Sequence, residues 1–180
     1  METVEASVKK LSGSASAGYG IVFCLQNENN FYTLISNIQG EYLIVKMVNG
    51  EWYVVDEWYD NDAGIIKNGD MVYSQYLHLG YGYDDVENQI KVKYNNDNTF
   101  TISFNGQEAA TFKDGSFSGG YYGFYAETGS AEDENFPDEP VEVWFKLHQP
   151  VIVEQDRASH QISTYRFNSL NFASGKLINE

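Results

Sequence analysis

Hydrophobic residues recur at every second position along most of the chain, and helical spacing is nearly missing. The clearest stretch is Glu41 to Trp58, where two apolar-rich runs flank Asn49-Gly50. An Asn-Gly pair between alternating runs is a strong hairpin signal, because a type I′ turn needs positive φ at both central residues. In its second run Trp52, Val54 and Trp58 fall on one face, Tyr53, Val55 and Glu57 on the other. Ile90, Val92 and Tyr94 alternate with Lys91 and Lys93, Asn95 to Asn98 turn the chain, and Phe100, Ile102 and Phe104 lead into Asn105-Gly106 and a return strand from Ala109 to Phe112. These three strands read as a meander with one polar face. Further strands are expected at Val4–Lys10, Tyr19–Gln26, Phe31–Asn37, Tyr121–Glu127, Val141–Leu147, Val151–Glu154 and Ile162–Phe172. About a dozen short strands with turn residues roughly every ten positions predict an all-β fold, a two-sheet antiparallel jelly-roll sandwich. One domain over residues 1–180 is expected, with irregular loops near 70–87 and 128–140, where function concentrates.

Composition sharpens this in three ways. Aromatic residues make up 16% of the chain and 14 of them are Tyr, a residue that suits strands and ligand platforms alike. Acidic residues outnumber basic ones 26 to 11, and a formal charge of −15 repels nucleic-acid backbones and anionic lipid, which excludes nucleic acid as a partner. Cys24, the sole cysteine, lies in the apolar run Ile21–Leu25 and reads as a small core residue. No apolar stretch is long enough to insert into a membrane and no signal peptide is present; strand-like alternation from the first residues fits a processed or trimmed chain.

Two loops hold the candidate chemistry. In the first, Tyr73, Tyr76, Tyr81 and Tyr83 interleave with Gln75, His78, Gly80, Gly82 and Asp84. Sugar rings stack their C–H faces on aromatic rings, while amides, imidazoles and carboxylates take the hydroxyls. Tyr73, Tyr76, His78, Tyr81, Tyr83 and Asp84 are therefore candidate saccharide contacts, with an extra strand over Tyr73–Leu79 as the structural alternative. Trp58 is added as a further ring, a core position being its alternative; Trp52 and Trp144 are expected in the core. In the second loop Glu132, Asp133, Glu134 and Asp138 gather oxygen ligands that suit calcium, the sole candidate cofactor and not one the chemistry requires, although such charge runs are usually solvated loops. His78, His148 and His160 are scattered, without a nucleophile elbow, phosphate loop or zinc spacing.

The segments GYGIVF (Gly18–Phe23), NFYTLISN and GEYLIVKMVNGEWYVV, followed by IKNG (Ile66–Gly69), NQIKVKYNNDNTFTISFNGQ from Asn88 and GGYYGFY from Gly119, resemble the concanavalin A-like lectin/glucanase superfamily. Within it they are most similar to bacterial laminin-G-like jelly rolls of exported proteins, with VEASVKKLSGSASA as the early strand. The chain departs from that pattern in the eighteen or so residues of Asp70 to Glu87, and in a tail that runs on past Leu147. The resemblance implies carbohydrate or protein binding in some members and glycosidase activity in others. The glucanases of the superfamily carry Glu-x-Asp-x-x-Glu on one strand, and a retaining mechanism needs two carboxyl groups about 5–5.5 Å apart. Neither Asp56-Glu57 with Asp60 and Asp62, nor Glu139 with Glu142, has that spacing. The expectation is a non-catalytic carbohydrate-binding, lectin-like module of an exported or cell-surface protein, binding an oligo- or polysaccharide. The alternatives are a protein-interaction domain of a surface assembly and, behind it, a glycoside hydrolase.

Overall fold

The computed structural model describes residues 3–55, 57–67, 69–82, 86–127 and 141–148. Thirteen strands run through them: β1 (Thr3–Ser12), β2 (Tyr19–Asn27), β3 (Asn30–Ser36), β4 (Glu41–Val48), β5 (Glu51–Val54), β6 (Glu57–Asp60), β7 (Gly64–Lys67), β8 (Val72–Tyr73), β9 (Asn88–Tyr94), β10 (Thr99–Phe104), β11 (Gln107–Lys113), β12 (Tyr121–Ala126) and β13 (Glu142–Leu147). They form two antiparallel sheets packed as a jelly-roll sandwich. The seven-stranded sheet has the order β13-β1-β9-β10-β11-β6-β7; the six-stranded sheet is β12-β2-β3-β4-β5, with the short β8 beside the start of β4. The meander expected from the sequence is β9-β10-β11. Both Asn-Gly turns have the left-handed backbone their hairpins require, with φ of 54° and 86° at Asn49 and Gly50 and 51° and 82° at Asn105 and Gly106.

Alternation sends one face of each strand into the core. Val4, Ala6 and Val8 of β1 meet Ile21, Phe23, Leu34 and Ile44 of the opposite sheet, all buried. Aromatic rings fill the middle: Phe100 stacks on Phe112 at 4.7 Å between centroids and Phe23 on Tyr32 at 5.4 Å. Each such pair adds about 0.5–1.5 kcal/mol beyond the area it buries. Gly20 serves close strand approach, since a side chain there would overlap the Leu34 carbonyl oxygen of β3. Cys24 is buried as expected, and burial pushes its thiol up to about 11, against smaller opposing effects of the chain's amino terminus and a backbone hydrogen bond at Gly119.

The expectations for the run to Trp58 and for Trp52 and Trp144 need correction. The alternating run to Trp58 is not one strand: β5 ends at Val54 in the six-stranded sheet, and β6 begins at Glu57 in the other. Between them Val55 is buried and donates its N–H to Ile44 O at 3.2 Å. The crossing separates residues that the period of two had grouped. Trp58 points into the core from one sheet, whereas Trp52, paired with Met47, lies on the outer face of the other and is 46% exposed. Trp144 also faces outward, with Lys9 Nζ 5.6 Å from its ring centre. Neither Trp52 nor Trp144 is the core residue expected.

Candidate functional site

The tyrosine-rich segment starts on β8, where Val72 pairs with Tyr42 and Tyr73 with Glu41. Val72 turns inward and Tyr73, the alternate residue, is left 54% exposed. Beyond Tyr73 the chain follows no ladder, so its backbone groups are satisfied one at a time. Ser74 N donates to Gly40 O (2.8 Å) and Gly80 N to Ile38 O (3.0 Å). Two asparagines of the seven-stranded sheet pin the rest. Asn88 accepts from His78 N (2.7 Å) and donates to His78 O (2.9 Å), and Asn105 Nδ2 donates to Tyr76 O (2.6 Å) and to Asn88 Oδ1 (2.9 Å).

This pinning sorts the expected contacts. Tyr76 and Tyr81 are half-buried against the core, and the Tyr81 hydroxyl donates to Gly13 O at 2.7 Å. His78 is exposed and its Nδ1 donates to Glu87 O at 2.8 Å. Tyr73 and Leu79 lie together over Gly40, whose φ is +82°; a side chain at Gly40 would meet Leu79 Cδ2 at 2.5 Å and Tyr73 Cε2 at 3.1 Å. The outcome is an exposed ledge of Tyr73 and Leu79, bordered by Gln39, Glu41 and Gln75, with Gln75 Nε2 donating to Asp62 Oδ1 at 2.8 Å. Trp58 does not belong to it. It is 2% exposed, packed on Tyr42 at 5.2 Å between ring centres, and a ring enclosed in this way has no face to offer a ligand. Tyr83 and Asp84 lie outside the described residues, as do Glu132, Asp133, Glu134 and Asp138. Among the described residues no three His, Cys, Asp or Glu side chains converge as a metal site.

The two outer faces of the sandwich differ in character. On the six-stranded sheet Val22, Phe31, Met47 and Tyr125 form a second buried apolar cluster. Trp52 and Tyr125 come from opposite edges, yet their ring centres are 6.2 Å apart. On a flat sheet their backbones would stand about 19 Å apart across the strands and about 13 Å along them. Two side chains do not span that gap, so the face is strongly curled and its apolar side chains close on one another.

The outer face of the seven-stranded sheet is polar and holds a groove of about 270 Å³. Glu5 pairs with Lys91, Lys91 with Ser103, and Ser103 with Glu108, forming one transverse row. The next row runs Thr3, Lys93, Thr101, Thr111, Tyr59 and Ile65. Lys91 Nζ is 3.2 Å from Glu5 Oε2. Glu108 reaches this face through a bulge: Ile102 pairs with Ala110 and Ser103 with Glu108, so Ala109 is extra and both alanines are buried. Bulges re-aim side chains in this way beside binding sites. The groove was not among the expected sites. Its signal in the sequence was the doublet Ala109-Ala110, which breaks alternation within a strand.

No family model and no curated protein matches the sequence. Among solved structures, the carbohydrate-binding module CBM66 from Bacillus subtilis superposes with a TM-score of 0.51 at 14% identity, over 68% of this chain and 65% of that one. The chain therefore spans somewhat less than two thirds of that protein. Sheep galectin-11 in complex with glycerol gives a TM-score of 0.42 at 10% identity, over 62% and 69%. The likeness to the first places the fold among jelly-roll sandwiches.

Proposed function

We propose that this chain is a non-catalytic carbohydrate-binding module of an exported or cell-surface protein, with a concanavalin A-like, laminin-G-like jelly roll. The observation that carries the reading is the Tyr73 ledge. A flat ring, half exposed and backed by Gly40 and Leu79, stands beside Gln39, Glu41 and Gln75 on a segment held by Asn88 and Asn105. A ring that accepts the apolar face of a sugar, next to amide and carboxylate groups for its hydroxyls, is the minimum such a site requires. Its pinned backbone means little ordering entropy is lost on binding. The module named CBM66 has the same fold and supports this reading by analogy.

The test is affinity electrophoresis through gels containing soluble polysaccharides. Retardation of the wild type is expected on at least one, and Tyr73→Ala should weaken it about tenfold or more, the equivalent of about 1.4 kcal/mol, with an unchanged thermal midpoint. Tyr81→Phe should unsettle the segment without removing a stacking ring. No retardation on any polysaccharide would sink the reading in favour of a protein-interaction domain. Calcium at Glu132, Asp133, Glu134 and Asp138 is a further part of the proposal. A metal that binds only the folded state raises stability, so chelator should lower the thermal midpoint; an identical midpoint removes calcium and leaves the sugar reading intact.

A further inference from the structure

We propose that the outer face of the seven-stranded sheet is a second glycan-binding surface, on which a neutral glycan chain lies across the strands, one residue in the groove between Glu5 and Glu108 and another stacked on Tyr59. The inference rests on the carbohydrate reading above but uses none of the residues of the Tyr73 ledge.

Three observations carry it. The groove is built from four strands, β1, β9, β10 and the β10–β11 turn with β11, so its shape is set by ladder hydrogen bonds rather than by a loop. Its lining mixes acceptors and donors: carboxylates at Glu5 and Glu108, ammonium groups at Lys91 and Lys93, and hydroxyls and an amide at Thr101, Ser103 and Gln89. Two acids and two lysines give the groove a formal charge of zero within a chain of −15. A carboxylate that receives two sugar hydroxyls, with an ammonium beside it to donate, binds a polyol without needing ligand charge. An anionic ligand would meet both Glu5 and Glu108 and the field of the whole molecule.

The second observation is that two of these groups are available, while Lys91 is held by Glu5 at 3.2 Å and Thr101 Oγ1 accepts from Asn95 Nδ2 at 2.6 Å. Glu108 lends its backbone carbonyl to Asn61 Nδ2, but its carboxylate has no hydrogen-bond or ion-pair partner among the described residues, and neither has the ammonium of Lys93. The bulge at Ala109 is what turns Glu108 toward the groove. The third is Tyr59. It is 49% exposed, and pairing places it in the same transverse row as Lys93 and Thr101, with Thr111 between. Two inter-strand steps, about 10 Å, separate Thr101 from Tyr59. At about 270 Å³ the groove falls just below the ~300–1,000 Å³ of drug-sized sites and has room for one ring. A ligand that also reaches Tyr59 must therefore be a chain lying across the strands.

The full chain is run through native gels containing hydroxyethylcellulose, glucomannan, galactan or inulin, with polygalacturonate as the acidic counterpart. Wild type is compared with Tyr59→Ala, Glu108→Gln, Lys93→Gln, Tyr73→Ala and the Tyr59→Ala/Tyr73→Ala double variant. On the neutral polysaccharide that retards the wild type, Tyr59→Ala and Glu108→Gln should each weaken binding about fivefold or more, and the double variant should lose it. All the sites are exposed, so thermal midpoints should stay within about 2 °C, consistent with surface changes of up to about 0.5 kcal/mol. Unaltered retardation of Tyr59→Ala and Glu108→Gln, with loss in Tyr73→Ala, overturns the second surface and leaves the proposed function standing. Retardation by polygalacturonate alone, lost in Lys93→Gln, overturns the neutral-glycan assignment. No retardation in any gel removes both.

Discussion

Lys10 shows how a single side chain sets a pH dependence. The inward parity of Val4, Ala6 and Val8 on β1 continues to Lys10, which is 1% exposed. Its ammonium donates to the carbonyls of Ser14 and Ala17 in the loop that follows, the latter at 2.6 Å. Burial disfavours the charged form and brings the ammonium down to about 8, against an opposing pull from Glu127. The folded value lies below the ordinary 10.5, so between about pH 8 and 10.5 the unfolded chain binds more protons than the folded one. The Lys10 contribution to stability therefore rises with pH across that window, by at most about 3.5 kcal/mol at ~1.4 kcal/mol per unit. Above pH 10 the trend reverses: burial raises Tyr19, Tyr32, Tyr42 and Tyr125, so their stabilisation, complete below the unfolded value of 10, is lost as pH climbs toward the folded ones. Urea unfolding at steps from pH 7 to 11 should give a maximum between 9 and 10, and Lys10→Met should flatten the rising limb. At the acid end Asp114 acts with the opposite sign. Burial alone would raise its carboxyl, but hydrogen bonds from Lys46 (2.6 Å), Ser116 N (2.8 Å) and the Tyr32 hydroxyl (2.6 Å) outweigh it and hold the carboxyl at about 2. Its contribution is complete above the ordinary 3.8 and is lost as pH falls from there through 2. Asp114→Asn should remove that acid-limb loss when the urea titration is extended from pH 7 down to 2.

At the scale of elements, the β10–β11 turn joins the fold to the candidate site. Asn105 adopts φ of 51° for the hairpin, accepts from Gln89 N at 2.8 Å, and donates to Tyr76 O and Asn88 Oδ1. Asn105→Gly keeps the turn backbone and removes the three side-chain bonds, whereas Gly106→Ala strains the turn at φ of 82° and leaves the bonds intact. Hydrogen exchange should separate the two. Asn105→Gly is expected to speed exchange at Tyr76 to Gly80 about tenfold or more and to weaken any glycan binding at Tyr73. Gly106→Ala should lower stability by about 1 kcal/mol without that local effect. The turn itself was legible in the sequence as Asn-Gly between alternating runs. The pinning was not, because its partners Tyr76, Asn88 and Gln89 are up to 29 residues away and only sheet pairing brings them together. The same limit explains Trp58. A period of two specifies which face a residue takes but not which sheet, and the crossing after Val54 sent Trp52 and Trp58 to different environments. The tyrosine segment was identifiable by composition, yet burial of Tyr76 and Tyr81 and exposure of Tyr73 depend on Gly40 and Gly13, contacts that no local pattern records.

For the whole molecule, the decisive quantity is a formal charge of −15. The outer side of the six-stranded sheet carries the apolar cluster of Val22, Phe31, Met47 and Tyr125 with Trp52 against it, while Lys9, Lys91, Lys93 and Lys146 share the outer side of the seven-stranded sheet with Glu5 and Glu108. Charge of one sign elsewhere raises the energy of the compact state and repels anions at a distance, and both effects are screened by salt. The Debye length falls from about 30 Å at 0.01 M to about 8 Å at 0.15 M, which is less than the width of the sandwich. Raising salt over that range should therefore raise the thermal midpoint, and the gain should level off once the screening length drops below the spacing between loops. A neutral polysaccharide experiences none of this long-range field, so its retardation should be the same at both salt concentrations. A polyanion would be bound more tightly as repulsion is screened, and a polycation less tightly. Binding measured at the two salts thus reports the charge class of the ligand, and a salt-dependent affinity for the retarding polysaccharide would contradict the neutral chain proposed for the Tyr59 face.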